Sequence, residues 1–466
     1  MVVSQTDRSS LESLLRPAEP VPMVDAPNGD HGVIVQSGGS ETDWLTSGAW
    51  RLLAAAGISE GAGTPIATFT TGSGSAVTAS FDETTRRVMV PFSLEEAYRN
   101  YITERWASNS QHRRLSPHHL NLFYRTKVLV PRNLQIRARR MIIRWQGHPE
   151  FPEWPLDLSV ARLLRFYAFC ILLARGKTQA PFRWFWPNGH RAALILTHDV
   201  ENDSGIRNVL ALADLEEGFG LRSSFNFGAW YTIDPGLVRE LLDRGFEVGV
   251  HGLRHDRSLF QSREAFEAQL PVLATFKQHL GGSGFRSPAT YRVHNWLADL
   301  PFDYDCSVPH SDPYEPQPGG CCTLWPFFIG PLVELPYTLP QDYTLFTLLG
   351  HRTPDLWIEQ ADRIEKQNGL IQCVSHPDRG YLADREKNAH YSEFLAAMSE
   401  RSSIWKTLPR DVASWWRLRG SDHEGGSHNS PPPTDGLMHL GATPEDVCFE
   451  PTPATTGSSI PGSDRT

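Results

Sequence analysis

From residue 184 onward, short apolar runs alternate with longer stretches of helical periodicity. The runs cover residues 192–197, 223–227, 246–250, 284–286, 304–307, 332–335 and 370–375. Each is too short for a helix and is bounded by turn residues or charge, so each reads as a strand buried on both faces. Between them, residues 206–219, 235–244, 263–280, 293–300 and 355–367 carry apolar positions at helical spacing. This alternation predicts βαβ units and a parallel sheet. Seven runs predict an α/β fold, a distorted and incomplete seven-stranded β/α barrel, one strand short of the eight-stranded form. Further helices are expected over 386–401 and 405–419.

The preceding region has a different texture. Residues 42–56 read as a helix with Thr42 or Asp43 at its N-cap. Residues 86–92 read as a strand, and 95–108 and 134–145 as helices. A proline- and aromatic-rich connector, Pro149 to Pro155, leads to a helix over 157–175. The expected organisation is therefore an α+β extension over 41–180 with no readable chemistry, then a barrel domain over 185–419. The flanks, 1–40 and 420–466, are rich in Ser, Pro, Gly and acidic residues and are expected to be disordered.

Composition narrows the functional classes. The 466 residues carry a formal net charge of −9, which gives no electrostatic footprint for nucleic acid. The one basic run, from Arg137 to Arg144, has helical spacing and reads as a solvated or interdomain helix face. Six cysteines in so long a chain are no disulfide framework, and without a Cys-x-x-Cys pair no thiolate zinc site is expected. The most apolar helical stretch, 163–174, carries Arg165 and is too short to span a bilayer. Met1 to Leu15 lacks the pattern of a secretory signal. A cytoplasmic protein without a transmembrane segment or nucleic-acid partner is expected.

Chemistry-bearing residues gather at the ends of the runs. The first, Ala192-Ala-Leu-Ile-Leu-Thr-His-Asp-Val-Glu201, passes from aliphatic residues into Thr197, His198, Asp199 and Glu201. In α/β sheets and barrels this strand end is where sites are built; the plain alternative is that Asp199 caps the following helix. The third run ends in His251-Gly-Leu-Arg-His255. Two imidazoles four residues apart after a buried strand can converge on one ion, although a lone His is more often structural. Two His and one carboxylate suit zinc or another divalent first-row metal, with Asp199 and Glu201 as candidate carboxylates. Arg286 ends the fourth run and reads either as a loop residue or as a guanidinium aimed at a buried carboxylate. His376 ends the seventh, placed for general acid work or exposed on a loop.

In order and spacing these segments resemble the polysaccharide deacetylase family, also called the NodB homology domain or carbohydrate esterase family 4. The segments that carry the resemblance are Thr197-His-Asp199-Val-Glu201, His251-x-x-x-His255, Arg286-Ser-Pro288, Asp303-Tyr-Asp305-Cys-Ser307 and Val374-Ser-His376, spread over roughly 185–400. The resemblance implies a metal-dependent hydrolase that removes an N-acetyl group from a sugar or glycan intermediate. It implies one divalent ion, zinc by preference, on Glu201, His251 and His255. Asp199 would be the general base, Arg286 would hold Asp199 ionised, His376 would be the general acid, and Asp305 would orient Arg286 or His376. Two departures stand out. The family's adjacent acidic pair is replaced by Asp199-Val-Glu201, which leaves Asp199 or Asp203 as the alternative metal carboxylate. The fourth motif lacks an Asp-Trp; Pro309-His-Ser-Asp-Pro-Tyr-Glu-Pro316 stands there, with Trp325 beyond. Rival readings are a hydrolase of another C–N bond, such as a cyclic imide or ureide, and a non-catalytic carbohydrate-binding module. The segment from Glu334 to Tyr343 reads either as a groove lining or as a plain loop.

Overall fold

The structure, a computed structural model, describes residues 10–18, 21, 23, 24, 32–57, 63–109, 132–147, 149–421 and 435–452. Much of the two flanks expected to be disordered lies outside these residues. Their described parts hold regular elements, among them helix α1 (Leu11–Leu15), capped by the Ser10 hydroxyl.

Seven strands form an N-terminal sheet: β1 (Met23–Val24), β2 (Ile34–Gln36), β3 (Gly38–Ser47), β4 (Trp50–Ala56), β5 (Thr64–Thr71), β6 (Ala76–Asp82) and β7 (Arg87–Val90). Their order in space is β1-β2-β7-β6-β5-β3-β4. The expected strand over 86–92 is β7. The helix expected over 42–56 is instead the β3–β4 hairpin, in which Ser47 pairs with Trp50. Gly48, at φ 56°, fills the first position of the two-residue turn, where a positive φ favours glycine. The apolar residues of this stretch fit a helix face and a strand pair alike, and the turn decides between them. Leu45 and Leu52, buried and opposite one another, are the product.

Helix α2 (Leu94–Ile102) starts at Ser93, whose hydroxyl accepts the Glu96 N–H. A 3₁₀ turn, Arg105–Asn109, follows. Helices α3 (Arg132–Gln146) and α4 (Ser159–Arg175) come next. Thirteen residues of α4 are buried, as a helix apolar nearly all round requires. Its Phe166 packs against Trp50, Phe69 and Phe92 of the sheet region. It starts two residues later than expected because the Asp157 carboxylate accepts the N–H groups of Ser159 and Glu153, both at 2.8 Å.

After β8 (Gln179–Arg183) the barrel begins. Its elements in chain order are β9 (Ala192–Val200), α5 (Asp203–Gly218), β10 (Ser224–Phe227), α6 (Pro235–Asp243), β11 (Glu247–Val250), α7 (Arg263–Leu280), β12 (Gly284–Phe285), α8 (His294–Leu297), β13 (Tyr304–Asp305), β14 (Phe327–Ile329), β15 (Leu332–Glu334), a π-helical turn (Tyr343–Leu349), α9 (Asp355–Lys366), β16 (Leu370–Ser375), α10 (Arg385–Ser399), β17 (Ile404–Lys406) and α11 (Pro409–Arg419). The seven expected runs are all strands, parallel, in the order β15-β13-β12-β11-β10-β9-β16. Two more strands join them. β14 pairs antiparallel outside β15, and β17, which occupies the start of the helix expected over 405–419, pairs with the first residues of β9. Every residue of β9 is buried, the signature of a central parallel strand. Each aliphatic side chain so buried contributes roughly 1.5–3 kcal/mol. The sheet curls without closing; Thr338 and Leu339, just beyond β15, donate their N–H groups to Gln372 O and bridge part of the gap. Within the tail expected to be disordered, β18 (Asp435–His439) and β19 (Cys448–Pro451) complete a small antiparallel sheet with β8. No helix among the described residues is long and apolar enough to cross a membrane.

Candidate active site

The C-terminal ends of β9, β11, β12 and β16 meet at one mouth of the barrel. Because side chains alternate along a strand, Thr197 and Asp199 face the barrel interior while His198 faces the helices. His198 is fully buried and hydrogen-bonded at both ring nitrogens, Nδ1 to Ser375 Oγ at 2.9 Å and Nε2 to Glu216 Oε1 at 2.7 Å. The Tyr391 hydroxyl donates to the same Glu216 oxygen. This network ties β9 to β16, α5 and α10 behind the site.

Glu201, His251 and His255 offer three donor atoms that all lie within 4.8 Å of one another. His255 Nε2 is 2.9 Å from Glu201 Oε1. His251 Nδ1 meets the Arg286 carbonyl at 3.1 Å, which leaves Nε2 buried without a hydrogen-bond partner. Gly252, at φ 87°, turns the chain so that His255 returns to the site, and a Cβ there would lie 2.9 Å from Pro288 Cδ. The Trp230 ring stands 5.7 Å from His251 and 5.4 Å from His255, while its Nε1 donates to Glu201 O. An orphaned buried imidazole nitrogen beside a second imidazole and a carboxylate fits a divalent first-row ion.

Asp199 sits beside this trio. Burial raises its pKa, but His251, Arg286, His376 and a 2.9 Å hydrogen bond from Asn226 Nδ2 outweigh burial and leave it below the usual range. Glu201 is likewise pushed up by burial and brought well below its ordinary value by His255 and His376. Burial pushes His251 down to about 4, so its ring is neutral at pH 7. Burial also acts downward on His376, yet the Asp342 carboxylate overcomes it and raises His376 to about 10. Asp342 Oδ1 lies 2.7 Å from His376 Nδ1 and Oδ2 accepts the His376 N–H. Nε2 of His376 is thereby turned to the cavity, 3.8 Å from Glu201 Oε1. Asp203, the remaining candidate carboxylate, is exposed at the start of α5 and outside the trio.

Arg286 is fully buried beneath the site. Its guanidinium donates to Thr197 Oγ1 and to the Gln372 amide oxygen and lies over the Tyr337 ring. It acts on Asp199 through space rather than by a hydrogen bond. Asp305 was expected to orient Arg286 or His376. Its hydrogen bonds run instead to the Ser307 hydroxyl and to Glu334, and its influence on Arg286 is electrostatic. Burial pushes both Asp305 and Glu334 up, and each carboxylate raises the cost of charging the other.

Asp199, Glu201, His251, His255 and His376 share the wall of one cavity of about 360 Å³. Its other wall holds Glu315, Gln341, Tyr343 and Tyr381. Helix α3, from the region without readable chemistry, covers it with Gln135, Ile136 and Arg139. Arg139 donates to Tyr314 O and Arg140 to Thr347 O, which fastens α3 to the barrel. Of the basic run, Arg139 and Arg140 thus face the barrel, while Arg137 is exposed. A second fastening joins Glu104 to Arg292 and His294, with Arg292 Nε 2.7 Å and His294 Nε2 2.7 Å from Glu104 Oε2. Between Pro288 and Arg292, Ala289 and Thr290 adopt φ 49° and 53°, a strained conformation for a β-branched residue at the rim of a site. Arg292 donates to the Thr290 carbonyl and holds it there.

The altered fourth motif is partly structural. His310 Nε2 accepts the Asp157 N–H and Nδ1 faces Thr323 O. Trp325 stacks on Phe185 in the core and takes no part in the cavity. Three further residues escaped sequence reasoning. Asn226 pairs in register with Asp199 and could have been found from strand alternation. Asp342 lies in a Pro- and aromatic-rich loop with no periodicity. Asp378 works through backbone alone, accepting the N–H groups of Glu201, Asn202 and Gly205.

No protein-family profile and no curated protein matches the sequence. Among solved structures, the fold is similar to a Mycobacterium smegmatis protein assigned as a polysaccharide deacetylase, at 18% identity and TM-score 0.41, covering 53% of this chain and 98% of that one. It is similar to PuuE allantoinase at 17% identity and TM-score 0.41, over 50% of this chain and 93% of that one. It is also similar to a family 4 carbohydrate esterase from Streptomyces lividans at 15% identity and TM-score 0.30, over 47% and 93% of the two chains.

Proposed function

We propose that this protein is a metal-dependent hydrolase that removes an N-acetyl group from an N-acetylated sugar or glycan intermediate. One observation carries the reading. An ionised carboxylate (Asp199), a protonated imidazole (His376) and the donor set Glu201, His251 and His255 line a single cavity. Glu201, His251 and His255 would hold one divalent ion, for which a two-nitrogen, one-oxygen set favours zinc. Such an ion supplies Lewis-acid polarisation of a carbonyl and activation of water.

The remaining steps belong to the chain's own residues. Asp199 accepts a proton from the attacking water, and Asn226 fixes the carboxylate that receives it. Arg286, buried and always charged, keeps Asp199 available as a base. His376 donates its Nε2 proton to the departing nitrogen, with Asp342 holding the ring by Nδ1. His251, held neutral by burial, would offer its free Nε2 lone pair to such an ion.

The covering helix α3 favours a small substrate, a single sugar or a chain end, over the middle of a long polymer. The same enclosure favours a second reading, hydrolysis of a small cyclic imide or ureide. Acetate release from N-acetylated mono- and oligosaccharides, measured beside hydrolysis of cyclic imides and ureides with the metal content known, separates the two. Turnover of the imides and ureides alone would overturn the deacetylase reading.

A further inference from the structure

Beside the catalytic cavity lies a second one, of about 510 Å³, between α5 and α10. Its walls include Arg207 from α5, Arg379 just beyond β16, and Lys387 from α10, together with Asn202 and Ser204. Among the described residues, no carboxylate lines it. Three cations around one hollow are unexpected in a chain of net charge −9. Of the neighbouring acids, Asp203 is exposed between Asn202 and Ser204, and two others are engaged elsewhere. Asp378 is directed at the backbone of β9 and α5, and Asp384 lies 4.0 Å from Lys387. Lys387 also donates to the Gly380 carbonyl and to Thr347 Oγ1, the latter at 3.1 Å, and the Arg379 N–H donates to Ser204 Oγ at 3.0 Å, so the rim is fixed in shape and Lys387 acts on the hollow through its charge. The arginine guanidinium groups remain exposed.

The two cavities adjoin. Ile136 of α3 lines both, Asn202 follows Glu201 directly, and Gly380 precedes Tyr381 of the catalytic wall. A group held in the second cavity would therefore sit next to the catalytic one. One arginine fork satisfies a carboxylate, whereas three cations around one hollow match the charge of a phosphate.

We propose that this cavity is an anion subsite, and that the substrate is an N-acylated sugar bearing a phosphate ester, held by Arg207, Arg379 and Lys387. The proposal rests on the deacylation reading for the substrate, but not for the binding of phosphate.

The test compares N-acetylglucosamine 1-phosphate with N-acetylglucosamine on the metal-loaded enzyme. The phosphorylated sugar should show a KM about tenfold lower or more, as charge-assisted hydrogen bonds of this kind provide. Arg207→Ala with Arg379→Ala should abolish that preference and leave turnover of the neutral sugar unchanged, while Arg207→Lys with Arg379→Lys should restore much of it. Equal KM values for both sugars, or a preference that survives the double alanine variant, would overturn the subsite. If neither sugar is hydrolysed, the deacylase reading fails, and calorimetry with inorganic phosphate decides separately. Phosphate binding lost in the double variant sustains the subsite. A lipid-borne phosphate is separated by sedimentation with phosphatidylglycerol and phosphatidylcholine vesicles. Binding to the former alone, lost in the double variant, supports a lipid-linked substrate. Absence of phosphate binding in every arm sinks the proposal.

Discussion

Asp342 grips His376 twice with one carboxylate, Oδ1 at 2.7 Å from the ring Nδ1 and Oδ2 at 3.0 Å from the backbone nitrogen. The ring is therefore fixed in rotation and its Nε2 aimed at the cavity. Asp342→Asn should lower kcat by about 10–100-fold, the usual loss when the partner orienting a functional imidazole is removed. Metal content should stay at the wild-type level, because Asp342 touches none of the three donors. Unchanged turnover in this variant would show that His376 does not depend on the grip.

Removing the proton-transfer groups themselves should cost more. His376→Ala and Asp199→Asn are each expected to lower turnover by about 10²–10⁴-fold. Both should keep their metal, which elemental analysis of the purified variants checks. Loss of metal from Asp199→Asn with full retention in Glu201→Gln would exchange the roles of the two carboxylates.

The donor trio makes the opposite prediction. His251→Ala, His255→Ala and Glu201→Gln should each release most of the bound divalent ion, since two protein ligands rarely hold a catalytic metal tightly. Wild-type occupancy in both histidine variants would refute the assignment of this site.

Sequence and structure part company in an orderly way. The seven parallel strands were legible because central strands are continuous apolar runs and little else in the chain is. Asp199, Glu201, His251, His255 and His376 stand out as candidates because polar residues are conspicuous where such runs end, and the structure gathers them around one cavity. Asp342 does not stand out, since its loop has no period and its partner lies 34 residues away. The β3–β4 hairpin was misread because Trp44, Leu45, Leu52 and Leu53 satisfy two periodicities and a single turn at Gly48 chooses between them. Helix α3 was legible as a helix, but no local pattern says that it covers a barrel mouth built from residues far beyond it.

The Glu104–Arg292 pair joins the N-terminal region to the barrel in a buried setting, with His294 completing it. Burial pushes Glu104 up, and Arg292 and His294 bring it far below its ordinary value of 4.5. A depressed folded-state pKa contributes stability that is complete above the unfolded value and is lost as pH falls through the folded one. The wild type should therefore lose stability progressively below about pH 4.5, and Glu104→Gln should flatten that acid slope. At neutral pH the same substitution should destabilise by about 3 kcal/mol, because it strands a buried guanidinium. Urea unfolding at pH 7 and pH 3.5 measures both effects, and parallel curves for the two proteins would remove Glu104 from the account.

The covering of the cavity by α3 also has a consequence in time. The helix ends at Gln146, and the π-helical turn it rests on is complete only at Leu349. During synthesis at roughly 5–20 residues per second, the helix leaves the ribosome on the order of ten seconds or more before its seat exists. Ile136 and Arg139 wait uncovered through that interval while strands β9 to β15 assemble. The helix that covers the cavity is thus made long before the residues it rests on.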